Sequence, residues 1–463
     1  MAIPSQNSTP ATIHGVWQSR WTFILAATGS AVGLGNIWKF PYIAGENGGG
    51  AFVILYLFCI ALVGVPIMLA EVLLGRRGRL SPINSMIRLC RESNASPAWS
   101  VIGWSGVVAG LLIFSFYSVI AGWALHYVIA TASGHLTDVT PAVSGAYFDE
   151  LLQNKTTLIT FHSIFMAITL GIVAAGVVKG LGKAVSVLMP MLFVLLLALL
   201  LYSAVAGDFA AGVNFLFGFN VGSLSGESIL AALGHAFFTM SLGMGAIMVY
   251  GAYMPSSAPL GKTVLMVASL DTIISLVAGL IIFPIVFANP GIEPGEGPGL
   301  LFVSLPVAFA NMPFGLWVGV VFFLLVSIAA LSSAISLIEP GVAWLAETKG
   351  VNRLVANLFI GGGAWVLGFG TIYSFNDWSG PEYQLFGRTF FDSLDFLTAS
   401  IMLPLGGALI ALFVGWGMKP HYVLEELGSD KQRWVSLWFF CVRFISPLLV
   451  LLVFVKLIVD NIA

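Results

Sequence analysis

The chain has 463 residues, of which 58% are hydrophobic and only 9% are charged, and its mean hydropathy is +0.98. These proportions exclude an ordinary soluble globular domain and indicate a protein with many membrane-spanning segments. The net charge of −2 and the lack of a basic stripe argue against nucleic-acid binding. The three cysteines, Cys59, Cys90 and Cys441, have neither disulfide nor metal spacing.

Hydropathy predicts an all-α polytopic membrane protein with about eleven transmembrane helices. Strand alternation is absent from the sequence, which excludes a β-barrel. Residues 1–20 are polar and lack the apolar core of a signal peptide, so we expect a cytoplasmic N-terminal segment. The predicted spans lie near residues 21–45, 51–75, 101–130, 157–177, 184–206, 227–254, 264–289, 315–346, 353–373, 393–416 and 434–458.

Lysine and arginine residues concentrate in alternate loops, most densely between spans two and three. The positive-inside rule therefore predicts a cytoplasmic N-terminus and, after eleven spans, an external C-terminus, in the inner (plasma) membrane of the cell. The loops expected outside are residues 131–156, 207–226, 290–314 and 374–392. The third of these is rich in glycine and proline, which fits either a re-entrant segment or a plain turn-rich loop.

Two hydrophobic spans are interrupted by glycines. The first span contains Gly29, Gly33 and Gly35, and the sixth contains Gly243 and Gly245. A broken helix leaves backbone groups without partners, and such groups persist inside a membrane only where protein, water or a ligand satisfies them. Matched breaks five spans apart predict an inverted repeat with a binding site between its halves. We expect the repeats at residues 21–206 and 227–416, with an additional span in residues 434–463.

Several motifs resemble those of the neurotransmitter:sodium symporter family, in its bacterial amino-acid branch. Residues 29–42, followed by residues 46–52, are similar to the family signature of the first span. The break in the sixth span, residues 329–333 in the eighth span, and the pair Gly180 and Pro190 match as well. The resemblance covers nearly the whole chain. It implies a 5+5 inverted repeat in which helices 1 and 6 are discontinuous.

The resemblance implies that an amino acid binds between the two breaks. The amides of Leu34 and Gly35, at the start of a half-helix, suit its carboxylate. Tyr117 matches a family tyrosine whose hydroxyl donates to that carboxylate, although residue type alone favours an interfacial or core tyrosine. Free carbonyls at the ends of the other half-helices suit the ammonium group. These carbonyls belong to Ser30, Ala31, Phe238 and Thr239.

The pocket for the substrate side chain is implied to be almost wholly apolar. It contains no charge that could pair with a charged side chain, so we expect hydrophobic L-amino acids, both aliphatic and aromatic. The adaptable thioether of Met244 favours such tolerance. The lining residues are Ile113, Tyr117, Phe238, Ser241, Met244, Ser333 and Leu337.

Two sodium sites are also implied, and sodium is a hard cation that prefers oxygen ligands. The first site would combine the substrate carboxylate with Ala31, Asn36, Thr239 and Asp271. Sharing that carboxylate makes the ion and the substrate raise each other's affinity. The second site would use carbonyl and hydroxyl oxygens, from Gly29, Val32, Ala329, Ser332 and Ser333.

Asp271 lies within the seventh span, where a carboxylate is costly to bury and so indicates a function. It would bind the ion directly or supply the negative charge that chloride supplies in animal relatives. We therefore expect that chloride is not required. Proton exchange at Asp271 is left open, and the alternative is a protonated, hydrogen-bonded acid without a role in transport.

Two groups of residues match the gates of the family. Lys39 and Asp395 match the outer pair, with lysine in place of arginine, so we expect a looser point-charge contact. His14 stands where an arginine is usual at the inner gate. It is either a pH-sensitive partner of the gate acid or a surface histidine. The other inner-gate matches are Trp17, Tyr253 and Glu347.

Three further positions bear on the moving parts. Glu71 in span two resembles a residue that holds the unwound backbone of span six. Gly180 and Pro190 bracket a stretch of span five that could unwind, because glycine loosens a helix and proline removes a backbone hydrogen bond. His235 stands where a glutamine is usual.

The sequence therefore predicts a sodium-coupled secondary transporter, a symporter that imports hydrophobic L-amino acids across a lipid bilayer by alternating access. It is not expected to be an enzyme, because no nucleophile and base are convincingly paired. A channel would need a continuous polar pore, which the sequence lacks. A transport-dead, sodium-dependent amino-acid sensor is the alternative, since binding residues do not establish turnover. The oligomeric state is left open.

Overall fold

The regular structure of this protein is helical. The computed structural model describes residues 15–17, 19–218, 224–289, 299–428 and 433–462, with side chains as far as Lys456. Within these ranges the only β geometry is an isolated bridge between Leu385 and Arg388. The prediction of an all-α protein is confirmed. His14 and residues 290–298 of the glycine- and proline-rich loop lie outside the described residues.

The described part of the first half of the chain contains ten α-helices. A π-helical turn at Gly35–Lys39 precedes α2, another at Ile60–Gly64 joins α3 to α4, and a third at Val177–Gly182 precedes α9. The helices are α1 (Arg20–Ala31), α2 (Phe40–Glu46), α3 (Gly50–Cys59), α4 (Val65–Gly78), α5 (Pro82–Ser93), α6 (Val101–Ala132), α7 (Pro141–Gln153), α8 (Lys155–Ala174), α9 (Lys183–Ala206) and α10 (Phe209–Phe217).

The second half contains eleven helices among the described residues. π-Helical turns at Leu300–Ser304, Phe396–Met402, Phe413–Gly417 and Cys441–Ile445 adjoin them. The helices are α11 (Gly226–Thr239), α12 (Ala246–Tyr253), α13 (Leu260–Phe287), α14 (Leu305–Ala310), α15 (Gly315–Lys349), α16 (Arg353–Ser374), α17 (Phe390–Asp395), α18 (Leu403–Leu412), α19 (Pro420–Leu427), α20 (Arg433–Phe440) and α21 (Ser446–Ile462).

Nine helical segments of the described chain are long and apolar enough to cross a membrane. The first and sixth predicted spans are not among them, because each divides into two short helices, α1 with α2 and α11 with α12. Together these segments account for the eleven predicted spans. Hydropathy missed the short helices α5, α7, α10, α14 and α19, which lie in predicted loops and are too short to give a spanning signal.

The centre of the bundle is formed by α6 and α15. The most apolar stretches of these helices are 83% and 78% buried, whereas the corresponding stretch of span five is only 28% buried. Small residues allow close helix contact elsewhere in the core, as is common in membranes. A Cβ atom at Gly251 of α12 would lie 2.6 Å from the Val72 carbonyl oxygen of α4. A larger residue there would separate the two helices.

The first break is closed by side chains rather than by helical hydrogen bonds. Helix α1 ends at Ala31, and Val32 is extended, with φ −76° and ψ 104°. The Gly33 amide then donates to Asn36 Oδ1 at 3.1 Å, and the Leu34 amide donates to the Tyr117 hydroxyl at 3.3 Å. The backbone groups released by the break are therefore oriented by residues of the predicted site.

The second break depends on three residues with positive φ. Ser241, Gly243 and Gly245 have φ of 54°, 76° and 77°, a region that glycine occupies without strain. The Gly243 amide donates to Oε2 of the buried Glu71 at 3.1 Å. The structure thus contains the two discontinuous helices that the sequence predicted, and Glu71 contacts the second break.

Candidate functional site

The two breaks face each other around a small cavity. Its volume is about 20 Å³, enough for about one water molecule. Ten of its lining residues were predicted from the sequence, whereas Leu34 and Thr239 were predicted but do not line it. The lining residues are Ser30, Ala31, Gly33, Gly35, Ile113, Tyr117, Phe238, Ser241, Met244, Ser333 and Leu337.

Gly33 is the lining residue that the predicted set left out. A Cβ atom there would lie 2.8 Å from the Tyr117 hydroxyl oxygen and would overlap Ser333 Oγ. Any larger residue would therefore fill the cavity. The signal was available, because Gly33 lies between Gly29 and Gly35 in the broken span, but it was interpreted only as a helix breaker.

Backbone donors and acceptors both lie close to the cavity. The Leu34 amide and the Tyr117 hydroxyl meet at 3.3 Å, at the start of the second half-helix. At the end of α1, the Ser30 carbonyl accepts hydrogen bonds from Ser241 Oγ at 2.8 Å and from Ser333 Oγ at 3.1 Å. A zwitterion has one end for each of these sets, since the amides suit a carboxylate and the carbonyls suit an ammonium group.

The residues predicted for the second sodium site converge. Ser332 Oγ donates to the Ala329 carbonyl at 2.9 Å and to the Val32 carbonyl at 3.3 Å. Ser333 Oγ lies within hydrogen-bond distance of the Gly29 carbonyl, at 3.3 Å, and of the Val32 carbonyl, at 3.2 Å. Five oxygen atoms from α1, the break and α15 are therefore joined in one cluster of short O–O contacts. Uncharged oxygens of this kind are suitable ligands for a hard monovalent cation.

The predicted first sodium site is built around Asp271, which is fully buried in α13. Its Oδ1 accepts from Asn36 Nδ2 at 2.7 Å, and its Oδ2 accepts from Thr239 Oγ1 at 2.7 Å. Asn36 Nδ2 also lies 2.8 Å from Ser275 Oγ. The carboxylate therefore connects α13 to both broken helices, whereas the structure places Ala31, the fourth predicted ligand, at the wall of the central cavity.

On the outer side, Lys39 Nζ lies 3.6 Å from Asp395 Oδ1. The same ammonium is 4.7 Å from the centre of the Phe238 ring. A second cavity of about 210 Å³ surrounds these groups, and Phe238 lines both this cavity and the central one. Phe238 and the Lys39–Asp395 pair therefore separate the central cavity from the predicted outer surface.

On the inner side, Trp17 is almost completely buried. Its amide donates to the Tyr253 carbonyl at 3.0 Å, and its Nε1 donates to the Val177 carbonyl at 3.2 Å. Glu347 accepts from the amide and hydroxyl of Ser81, at 2.7 and 2.5 Å, and from Asn84 Nδ2 at 2.7 Å. This side is closed in the structure.

Sequence reasoning missed a buried ion pair in this inner layer. Glu339 is fully buried in α15, accepts from the Tyr253 hydroxyl at 2.6 Å and pairs with Arg353. Arg353 also donates to the Val173 carbonyl at 2.9 Å. An acid within a predicted span is a functional signal by itself. The sequence analysis applied this rule to Asp271, and the same rule would have identified Glu339.

The stretch between Gly180 and Pro190 is helical here. It consists of a π-helical segment followed by α9, with Pro190 inside that helix. The predicted unwinding of this stretch is therefore not present in this conformation.

His235 is buried against the rings of Phe40 and Tyr56, at centroid distances of 5.8 and 5.3 Å.

Comparisons with known proteins identify a family and similar chains. The family model described as the sodium:neurotransmitter symporter family matches residues 14–143 and 148–462. The uncharacterized sodium-dependent transporter YhdH of Bacillus subtilis (strain 168) is 39% identical over 445 residues, which are 96% of this chain and 97% of YhdH. An uncharacterized sodium-dependent transporter of Haemophilus influenzae is 32% identical over 448 residues, covering 95% of this chain and 97% of that protein.

A solved structure is also similar. The crystal structure of MhsT in complex with L-phenylalanine aligns with a TM-score of 0.88 at 43% sequence identity. The alignment covers 95% of this chain and 99% of the MhsT chain. At this identity and coverage the likeness extends over nearly the whole fold.

Proposed function

Because this chain belongs to the sodium:neurotransmitter symporter family, we propose that it imports hydrophobic L-amino acids, aliphatic and aromatic, together with sodium by alternating access. It is a sodium-dependent membrane transporter and not an enzyme. One observation carries the proposal. A mostly apolar cavity lies between two helix breaks, close to the amide of Leu34 and the carbonyl oxygen of Ser30.

The apolar wall supports a hydrophobic substrate. Ile113, Met244 and Leu337 line the cavity, and its lining set contains no charged side chain. A charged substrate side chain would therefore be desolvated without a partner, which costs several kcal/mol or about a thousandfold in affinity. The complex of MhsT with L-phenylalanine supports an aromatic ligand for a similar protein. Outward movement of Phe238 would enlarge the cavity for such a ligand.

Two sodium ions would bind beside the substrate. The five oxygens of Gly29, Val32, Ala329, Ser332 and Ser333 would hold one ion once the two hydroxyl protons turn away from the carbonyls. The other ion would bind at the Ala31 carbonyl, Asn36, Thr239 and Asp271, with the substrate carboxylate as a further ligand. Because substrate and ion then share a contact, each increases the affinity of the other.

The remaining predictions complete the proposal. Residues 21–206 and 227–416 would form the inverted repeats, residues 434–463 the additional span, and residues 1–20 a cytoplasmic segment in the plasma membrane. Sodium and substrate would enter past Lys39 and Asp395. They would leave after the inner layer at Trp17, Tyr253 and Glu347 opens.

Uptake by purified protein in proteoliposomes tests this function. Radiolabelled leucine and tryptophan should accumulate above equilibrium under an inward sodium gradient but not under a potassium gradient. Ser333→Ala removes one oxygen from the second ion site and should lower the rate at least tenfold, since it leaves a cation short of a ligand. Ser327→Ala is the matched control, because the Ser327 hydroxyl donates only to the Phe323 carbonyl of its own helix.

Each outcome of this experiment decides between functions. Sodium-dependent binding without accumulation would favour the amino-acid sensor over the transporter. Absence of binding by both amino acids would show that the substrate class is wrong. Equal rates in Ser333→Ala and Ser327→Ala would remove the second sodium site from the proposal.

The carboxylate of Asp271 should make chloride unnecessary. Wild-type uptake is expected to be equal in chloride and gluconate buffers. Asp271→Asn should take up substrate in chloride but lose most of its uptake in gluconate, because no anion then balances the sodium. Asp377→Asn is the control for loss of an acid, since Asp377 lies at the surface and pairs with Lys155. Unchanged uptake by Asp271→Asn in gluconate would refute the charge argument.

A further inference from the structure

A groove runs along the outside of the bundle where α8 meets the start of span five. Its volume is about 500 Å³, and its walls are mostly apolar, with Ile168, Gly171, Val187 and Leu188 among them. This part of the protein faces outward, since the most apolar stretches of α8 and of span five are only 33% and 28% buried. The groove therefore opens towards the hydrocarbon of the bilayer.

Two lysines lie at one end of this groove. Lys179 and Lys183 are four residues apart, both exposed, and both line it. Within the described part of the chain, no carboxylate lies within ion-pair distance of either ammonium. They lie at the end of span five that the positive-inside rule assigns to the cytoplasm. The groove thus combines an apolar channel with two cations that the described carboxylates leave uncompensated.

We propose that this groove binds one anionic phospholipid of the cytoplasmic leaflet, with its phosphate at Lys179 and Lys183 and an acyl chain between α8 and α9. Basic pockets between transmembrane helices on the cytoplasmic side suit anionic head groups. A long apolar channel beside the cations accommodates the acyl chain of a lipid but offers nothing to a free phosphate. The proposal requires only that the protein is embedded in a membrane, not the proposed substrate.

A second groove provides an internal comparison. It lies between α13 and the π-helical turn at Ile60–Gly64, has a volume of about 430 Å³, and contains no charged side chain in its lining. An acyl chain could occupy it without any selection for the head group. Charge selectivity is therefore expected at the lysine groove and not at this one.

The position of the lysine groove connects it with the inner closure. Lys179 and Gly180 belong to the π-helical segment Val177–Gly182, whose first carbonyl accepts the hydrogen bond from Trp17 Nε1. A lipid bound across this segment and α8 would hold it in its helical form. Binding at the groove would therefore favour the conformation that is closed on the inner side.

Native mass spectrometry of the full-length protein, released from nanodiscs containing equal parts of phosphatidylglycerol and phosphatidylcholine, tests the proposal. The wild type should retain phosphatidylglycerol about tenfold or more in preference to phosphatidylcholine, given the usual contribution of each lysine at a membrane surface. The double variant Lys179→Gln with Lys183→Gln should reduce this ratio to near one. Lys262→Gln with Lys349→Gln, two exposed lysines at the same predicted face, should leave it unchanged.

A variant that fills the groove distinguishes binding of the acyl chain from attraction of the head group by surface charge alone. A Cβ atom at Gly171 would meet no atom within 4 Å, so the Gly171→Leu side chain can start into the groove and should reduce retention by one lipid. Gly363→Leu is the matched control, because Gly363 is an exposed helical glycine with equally open space. Any one of three results would overturn the proposal. These are equal retention of both lipids by the wild type, a preference for phosphatidylglycerol that survives loss of both lysines, and full retention of the lipid by Gly171→Leu.

Discussion

The two ends of the proposed transport pathway are closed by different means. On the inner side, a buried ion pair between Glu339 and Arg353 lies with the rings of Trp17 and Tyr253, whose centroids are 5.7 Å apart. On the outer side, closure depends on Phe238 and on a lysine–aspartate contact at 3.6 Å, whose side chains are 18% and 36% exposed. The two cations are about equally exposed, so the closures differ in their acids: Glu339 is fully buried, whereas Asp395 is partly solvated.

This difference sets the relative cost of opening. Breaking a buried, hydrogen-bonded ion pair costs about 3–5 kcal/mol, whereas an exposed pair contributes about 0–1 kcal/mol. In this conformation the inner side is therefore the more costly side to open. Sodium and substrate would load through the weaker outer closure, and the opening of the inner side would control release.

The largest effect is expected from removing the charge of Glu339. Glu339→Gln keeps an acceptor for the Tyr253 hydroxyl but leaves the partly buried Arg353 without its counter-charge, which should destabilise the inner closure by about 3 kcal/mol. Sodium-driven uptake should fall at least tenfold. Hydrogen–deuterium exchange at Val177–Gly182 should accelerate, because that segment is held by the same inner layer.

A double variant sharpens this test. Glu339→Gln combined with Arg353→Met removes both charges, and a buried ion pair can usually be replaced by neutral groups with little loss of stability. Exchange at Val177–Gly182 should then return towards the wild-type rate. If exchange in Glu339→Gln equals that of the wild type, the pair does not hold the inner side closed.

A smaller effect is expected from Trp17→Phe. Phenylalanine keeps an aromatic ring near Tyr250 and Tyr253 but loses the hydrogen bond to the Val177 carbonyl, which is worth about 1 kcal/mol or about fivefold in the closed population. Exchange at Val177–Gly182 should increase by about that factor. Trp21→Phe is the control, because Trp21 is exposed at the start of α1, four residues after Trp17. Equal acceleration in both variants would contradict the specific role of Trp17.

Much of the fold was accessible from the sequence because it follows from local physics. A membrane forces backbone hydrogen bonds inside each helix, so hydropathy locates spans, and glycines within a span locate breaks. The left-handed geometry at Gly243 and Gly245 is a local consequence of residue type. The breaks were therefore predicted to within a few residues.

Pairing across the bundle was less accessible. No local pattern reveals that Arg353 lies against Glu339, because the contact depends on how α15 and α16 pack. Gly33 lines the cavity because Tyr117 and Ser333, which belong to helices distant in the sequence, pack close to it. The short helices between spans were missed for another reason. Their amphipathic faces become stable through tertiary packing rather than through hydropathy.

The smallest effect is expected at the outer side. Lys39→Arg should strengthen the contact with Asp395 by less than about 1 kcal/mol, because a guanidinium can bond a carboxylate with two donors but both side chains remain partly solvated. A more stable outer closure should raise the apparent KM for substrate by no more than about fivefold.

Ionic strength distinguishes this solvated contact from a buried one. The difference in KM between Lys39→Arg and the wild type should shrink when choline chloride is added at constant sodium, because salt screens exposed charges. Lys155→Arg is the matched control, since Lys155 forms an exposed pair with Asp377 at 2.8 Å on the same predicted face. A change much larger than fivefold that resists salt would mean that the outer pair is desolvated during transport. The two closures would then be alike in the working protein, and the asymmetry would belong to this conformation alone.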